Sequence, residues 1–199
     1  MDRRSNNIAI FQDSMDLIKA NQKLQQAVQF SIQNQKLYVP SQAIALPEPG
    51  KSPCKTIVSS KRSFEAASAY AKSGKRVCVL NFASATNPGG GVTRGSTAQE
   101  ECLCRCSTLY PCLDTETMWH QFYQQHRKTG DPLYNDDLLY TPGVVIFKTD
   151  TSVPERMEEK DWYQVDIITC AAPNLRKKPS NAMNPSAGNA PVKISEKAL

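Results

Sequence analysis

"RVCVLNFASATNPGGGVTRGSTAQEE", residues 76 to 101, sets an apolar run, three consecutive glycines and two consecutive glutamates within one short stretch. Its first part, "RVCVLNFAS" (76 to 84), predicts a buried strand. Helical periodicity then resumes at Thr97 and runs to about Leu109. The glycines therefore lie in a strand-to-helix connection, where main-chain N–H groups and a helix N-terminus can seat a phosphate. The chain has only nine glycines, so three in a row mark a local requirement for backbone freedom or close approach.

The segments on either side place this connection in an alternating pattern. Ile8, Phe11, Met15 and Ile18 recur at helical spacing between Arg4 and Lys19, and Leu24, Ala27, Val28, Ser31 and Ile32 continue it, so two amphipathic helices open the fold. "KLYV" (36 to 39) and "KTIVSS" (55 to 60) predict short strands, and Ser63 to Lys72 predicts a helix ended by Gly74 at its C′ position. A further helix is expected from Thr117 to Lys128, followed by strands at "GVVIF" (143 to 147) and "VDIITCAA" (165 to 172). Helices alternating with single apolar strands imply an α/β fold with a mostly parallel or mixed sheet. The end, "PNLRKKPSNAMNPSAGNAPVKISEKAL" (173 to 199), reads as a polar loop or disordered tail.

Composition narrows the class. With 199 residues, 40% of them hydrophobic and 22% charged, the chain suits one globular unit. No apolar run is long enough to span a membrane, and the first residues lack a signal-peptide core, so a cytoplasmic protein with no membrane contact is expected. Seven cysteines, an odd number at irregular spacing, predict reduced thiols. The net charge of +5 is scattered apart from "RKK" at 176 to 178; it permits a polyanionic partner, and direct nucleic-acid binding is not expected. Oligomeric state is not legible. Cys102, Cys104, Cys106 and Cys112 lack the CxxC pairs of zinc sites, and His120 and His126 are poorly spaced as ligands, so no metal is expected. Trp119, Phe122 and Tyr123 could stack a nucleobase but at helical spacing read as core, and Cys170 reads as a buried strand thiol.

Known phosphate fingerprints fit poorly. Gly90 and Gly95 have Walker spacing, yet Ser96 stands where the lysine is needed, and Arg94 occupies the last position of a G-x-G-x-x-G. Ser96-x-x-Gln99 and Thr97-x-x-Glu100 both match a capping box, so one acidic residue here could be structural. A helix N-terminus stabilises the carboxylate anion, which opposes a general acid unless burial or a nearby polyphosphate penalises the charge. Consecutive helical residues diverge by about 100°, so Glu100 and Glu101 are not expected to flank one bond as opposed carboxylates; one would catalyse while the other orients substrate or caps the helix.

The stretch "LNFASATNPGGGVTRGSTAQEECLCRCSTLY" (80 to 110) resembles the signature of the microbial-type poly(ADP-ribose) glycohydrolases, a branch of the macrodomain superfamily, in which Gly-Gly-Gly is followed after a short spacer by Gln-Glu-Glu. Here seven residues separate Gly91 from Gln99, and "VDIITCAAPNL" (165 to 175) resembles the family's later strand and loop. The resemblance implies a macrodomain-like three-layer α/β/α fold with a mixed sheet and an N-terminal helical extension, over residues 1–175, with 176–199 as tail. It also implies a hydrolase that releases ADP-ribose from poly(ADP-ribose) by cleaving the ribose–ribose bond, or, as the alternative, a macrodomain that binds ADP-ribose without turnover or an inactive fragment. By position, Glu101 would be the general acid and base and Glu100 would hydrogen-bond ribose hydroxyls. Gly89, Gly90 and Gly91 would cradle the diphosphate, Asn87 and Pro88 would shape the loop, Gln99 would support the acidic pair, and no metal or other cofactor would be needed. The family's second glycine-rich loop has no counterpart after Gly143 except an isolated Gly188, so the C-terminal part of the domain is expected to be missing.

Overall fold

A computed structural model of the chain describes residues 2–42, 48, 50 and 53–174. Helix α1 (Arg3–Ala20) starts at Asp2, whose carboxylate accepts the N–H groups of Arg4 and Ser5, and α2 (Gln22–Asn34) starts in the same way at Asn21. Strand β1 (Lys36–Tyr38) follows, then α3 (Ser63–Lys72), which ends with Gly74 in the left-handed region at φ +80, as its sequence predicts. Strand β2 (Cys78–Phe82) leads through the glycine loop to α4 (Gln99–Cys106) and α5 (Leu109–Leu113). A third helical stretch runs unbroken through α6 (Glu116–Met118), a π-helical turn (Trp119–Tyr123) and α7 (Gln124–Thr129), and β3 (Leu138–Ile146) and β4 (Tyr163–Cys170) complete the described elements.

The strands form one sheet in the order β1-β3-β4-β2, with β2 and β4 parallel and the other neighbours antiparallel. Along the end of β3 the side chains alternate between two cores. Val144 and Ile146 join Phe64, Leu103, Phe122 and Ile167 on one face, while Val145 and Phe147 meet Ile18, Leu24 and Ala27 on the other. Helices thus cover both faces, giving the expected three layers and mixed sheet. The second face is covered only beside β3: on β2, Leu80 and Phe82 are 45% and 61% exposed.

Three local expectations need correction. Residues 55–60 form no strand; Ile57 and Val58 are exposed and pair with nothing in the sheet, and β-branched residues favour a strand only where a neighbour receives them. Strand β3 begins well before Gly143, because Pro142 and Gly143 sit in a bulge between Thr141 and Val144. Ser31 Oγ donates to the Pro142 carbonyl (2.7 Å), the Gly143 N–H donates to Asp166 (3.1 Å), and the Phe30 ring packs where a Gly143 Cβ would lie. The helix expected from Thr97 to Leu109 is divided, since Ser107 turns extended and bridges Ile146 at the end of β3; the Thr108 N–H donates to Val145 O and Thr108 Oγ1 accepts from the Val145 N–H, both at 3.0 Å. The proposed tail, 176–199, lies outside the described residues. No helix among the described residues is long and apolar enough to cross a membrane.

Candidate active site

The glycine loop is two successive turns. The Gly90 N–H donates to Asn87 O (3.0 Å), closing a turn with Pro88 second and Gly89, at φ +61, third, the arrangement of a type II turn. Gly90, at φ +60, is the second residue of the next turn, closed by the Val92 N–H on Gly89 O (3.1 Å). The Tyr110 ring lies against Gly89, leaving no room for a side chain there. Helix α1 braces the far end of the loop: Asn7 Nδ2 donates to Gly95 O (3.0 Å), and Ser14 Oγ donates to Arg105 O on α4 (2.7 Å).

Neither capping box forms, because α4 starts at Ala98 with no side-chain cap and both acidic side chains turn inward. The Gln99 carboxamide makes no hydrogen bond to either glutamate among the described residues. Its Oε1 accepts the Phe82 N–H (2.9 Å) and its Nε2 donates to Leu80 O (2.7 Å), so one carboxamide fills the place of a neighbouring strand on the open edge of β2.

Glu100 and Glu101 are 3% and 6% exposed. Although they are consecutive, their carboxylates converge: a Cβ on Gly90 would lie 2.5 Å from Glu101 Oε1 and 2.9 Å from Glu100 Oε2. Glycine is required at position 90 because the two carboxylates occupy its side-chain space. Glu100 accepts the Ser84 N–H (2.8 Å) and Asn81 Nδ2 (3.4 Å). Burial pushes its pKa up to about 8, with the adjacent Glu101 charge adding to the rise and the Ser84, Asn81 and Gly89 donors opposing it, so Glu100 is largely protonated at neutral pH. Glu101 Oε1 accepts the Gly91 N–H (2.8 Å), whereas its buried Oε2 has no partner among the described residues.

A cleft of about 430 Å³ lies at the C-terminal ends of the parallel strands β2 and β4, where open α/β sheets bind ligands. Asn87, Gly90, Gly91, Glu100, Glu101, Tyr134 and Asn174 are among the residues that line it, whereas Pro88, Gly89 and Gln99 are not. The N–H groups of Gly90, Gly91, Val92, Arg94, Gly95 and Ser96 all have protein acceptors.

Sequence reasoning misses Arg127. From α7 its Nε donates to Thr86 O (2.7 Å) and its Nη2 to Asn87 Oδ1 (2.6 Å), while the guanidinium stacks on Trp119 with its carbon 4.5 Å from the ring centroid. No local pattern reveals a contact made 40 residues away. Ser84 and Asn81, which hold Glu100, carry no signal in the sequence beyond that of a strand. Phe122 and Tyr123 are fully buried, as read, and His126 is buried against Phe122 and 3.7 Å from Asp137, whereas His120 is exposed. Cys170, at the end of β4, is only partly buried.

The model of the microbial-type PARG catalytic domain matches residues 8–149. The chain belongs to that family. Among solved structures, this PARG-family chain is similar to poly(ADP-ribose) glycohydrolase from Thermomonospora curvata, with 31% identity, a TM-score of 0.73, and coverage of 86% of this chain and 65% of that one. The same enzyme bound to the inhibitor ADP-HPD aligns at 30% identity and TM-score 0.65, covering 86% and 64%. The Deinococcus radiodurans enzyme in complex with ADP-ribose aligns at 33% identity and TM-score 0.64, covering 74% and 58%. The chain therefore spans less than two thirds of the length of each of these structures. A search among curated proteins gives no significant match.

Proposed function

We propose that this chain carries the catalytic part of a poly(ADP-ribose) glycohydrolase, cleaving the ribose–ribose O-glycosidic bond of poly(ADP-ribose) and releasing ADP-ribose. The observation that carries this reading is the convergence of two buried carboxylates on Gly90, beside an open cleft, in a member of the PARG family.

Glu101 acts as general acid and base. Its side chain lines the cleft, and its buried Oε2 has no partner among the described residues. It gives a proton to the leaving ribose oxygen as the C–O bond breaks through an oxocarbenium-like centre, then takes a proton from the attacking water as the new C–O bond forms. Glu100, largely protonated at neutral pH, hydrogen-bonds ribose hydroxyls and fixes the scissile bond. Asn87, Gly90 and Gly91 form the wall against which the diphosphate lies, with Pro88 and Gly89 shaping the turn behind it, and Gln99 holds α4 to β2. The scheme calls on no metal or other cofactor. Seven free thiols suit a reducing, cytoplasmic setting.

Titration with ADP-ribose together with release of ADP-ribose from polymer tests the reading. Binding with turnover is expected. Binding alone would make the chain a reader of ADP-ribose, and neither binding nor release would overturn the proposal.

A further inference from the structure

A phosphate ligand brings negative charge into a cleft that already holds two buried acidic side chains, and that charge needs a partner. The glycine loop offers little, since its N–H groups from Gly90 to Val92 and from Arg94 to Ser96 are already taken by Asn87, Glu101 and the loop's own carbonyls. Among the described residues lining the cleft, Arg94 is the only cation. It ends the 3₁₀ turn Val92–Arg94 directly after the glycines, its side chain is exposed, and its guanidinium makes no hydrogen bond or ion pair with any described residue. The neighbouring arginines differ: Arg105 is committed to Ser96 O and Cys102 Sγ, and Arg127 to Thr86 and Asn87.

We propose that Arg94 is the phosphate-pairing residue of this cleft and determines its preference for a diphosphate-bearing ligand over an uncharged nucleoside. The proposal rests on the function above for the ligand's identity and adds to it the source of the positive charge. A guanidinium can meet two phosphate oxygens at once, and an arginine with no partner among the described residues can swing onto a ligand without leaving another of them unpaired. The glycines then serve to admit the carboxylates, while Arg94 serves the phosphates.

Calorimetric titration of the full chain with ADP-ribose, inorganic pyrophosphate and adenosine, at low and high salt, tests this. Arg94→Ala is expected to weaken ADP-ribose and pyrophosphate binding by about 10- to 100-fold, to shrink the preference for ADP-ribose over adenosine and to flatten the salt dependence. Arg94→Lys should recover part of the loss, and both variants should melt at the wild-type temperature because the side chain is exposed and has no partner among the described residues. Wild-type affinity and salt dependence in Arg94→Ala would overturn the proposal. Pyrophosphate binding that depends on Arg94, without ADP-ribose binding, would keep the anion site and discard the functional reading; a wild-type chain that binds neither would discard both.

Discussion

Glu101 Oε1 lies 2.5 Å from the point that a β-carbon would occupy on Gly90, and it is held there by the neighbouring Gly91 N–H at 2.8 Å. The bareness of the loop and the acidity of the helix are therefore one device, in which the missing side chain is the space that the carboxylates fill.

Gly90→Ala tests that relationship. The new methyl would strike both carboxylates at a residue whose φ is +60, where a side chain costs about 1–2 kcal/mol by itself. The thermal midpoint is expected to fall by a few degrees, and ADP-ribose release from polymer by more than tenfold. A variant with wild-type melting and rate would show that the carboxylates do not need this space.

Glu100 gives the fold a pH dependence. Its pKa rises from an ordinary 4.5 in the unfolded chain to about 8 when buried, so the folded state binds the extra proton between those values. The associated stability is complete below about pH 4.5 and is lost as pH rises towards and through 8. Thermal melts from pH 5 to 9 should show a wild-type decline that Glu100→Gln removes; equal profiles would mean that Glu100 does not hold the proton.

At the open edge of β2, Gln99→Glu keeps the acceptor for the Phe82 N–H but sets an oxygen against Leu80 O. Loss of stability of about 1–2 kcal/mol is expected, with faster hydrogen exchange at the Phe82 amide than in the wild type. Unchanged exchange would remove the strand-mimicking role of the carboxamide.

How far these features are legible in the sequence depends on how local their causes are. Asn87-Pro88-Gly89-Gly90 reads correctly as a turn because Pro fixes one dihedral and Gly admits the next. The start of β3 is hidden because Pro142-Gly143 has the chemistry of a break, and only the contacts from Phe30, Ser31 and Asp166 turn it into a bulge. The capping boxes at Ser96 and Thr97 are genuine local patterns overridden from outside, since β2 and its loop offer Gln99 and Glu100 the Phe82 and Ser84 N–H groups. The glutamates are legible as residues, but their convergence depends on how α4 is pressed against the glycine loop by α1, which no spacing rule contains.

Arg127 positions Asn87 from beyond that local range. Arg127→Ala should weaken ADP-ribose binding by about tenfold, and Arg127→Lys should recover little, because an ammonium cannot bridge Thr86 O and Asn87 Oδ1 while stacking on Trp119. Full recovery by lysine would reduce its role to charge alone.

The central claim is that Glu101, at the wall of the cleft, delivers the proton to the leaving ribose oxygen. Single-turnover release of ADP-ribose from polymer by Glu101→Gln, which keeps the shape and removes the ionisable group, tests it most directly. The account predicts a rate lower by about 10² to 10⁴ with ADP-ribose binding retained; release at the wild-type rate would contradict it.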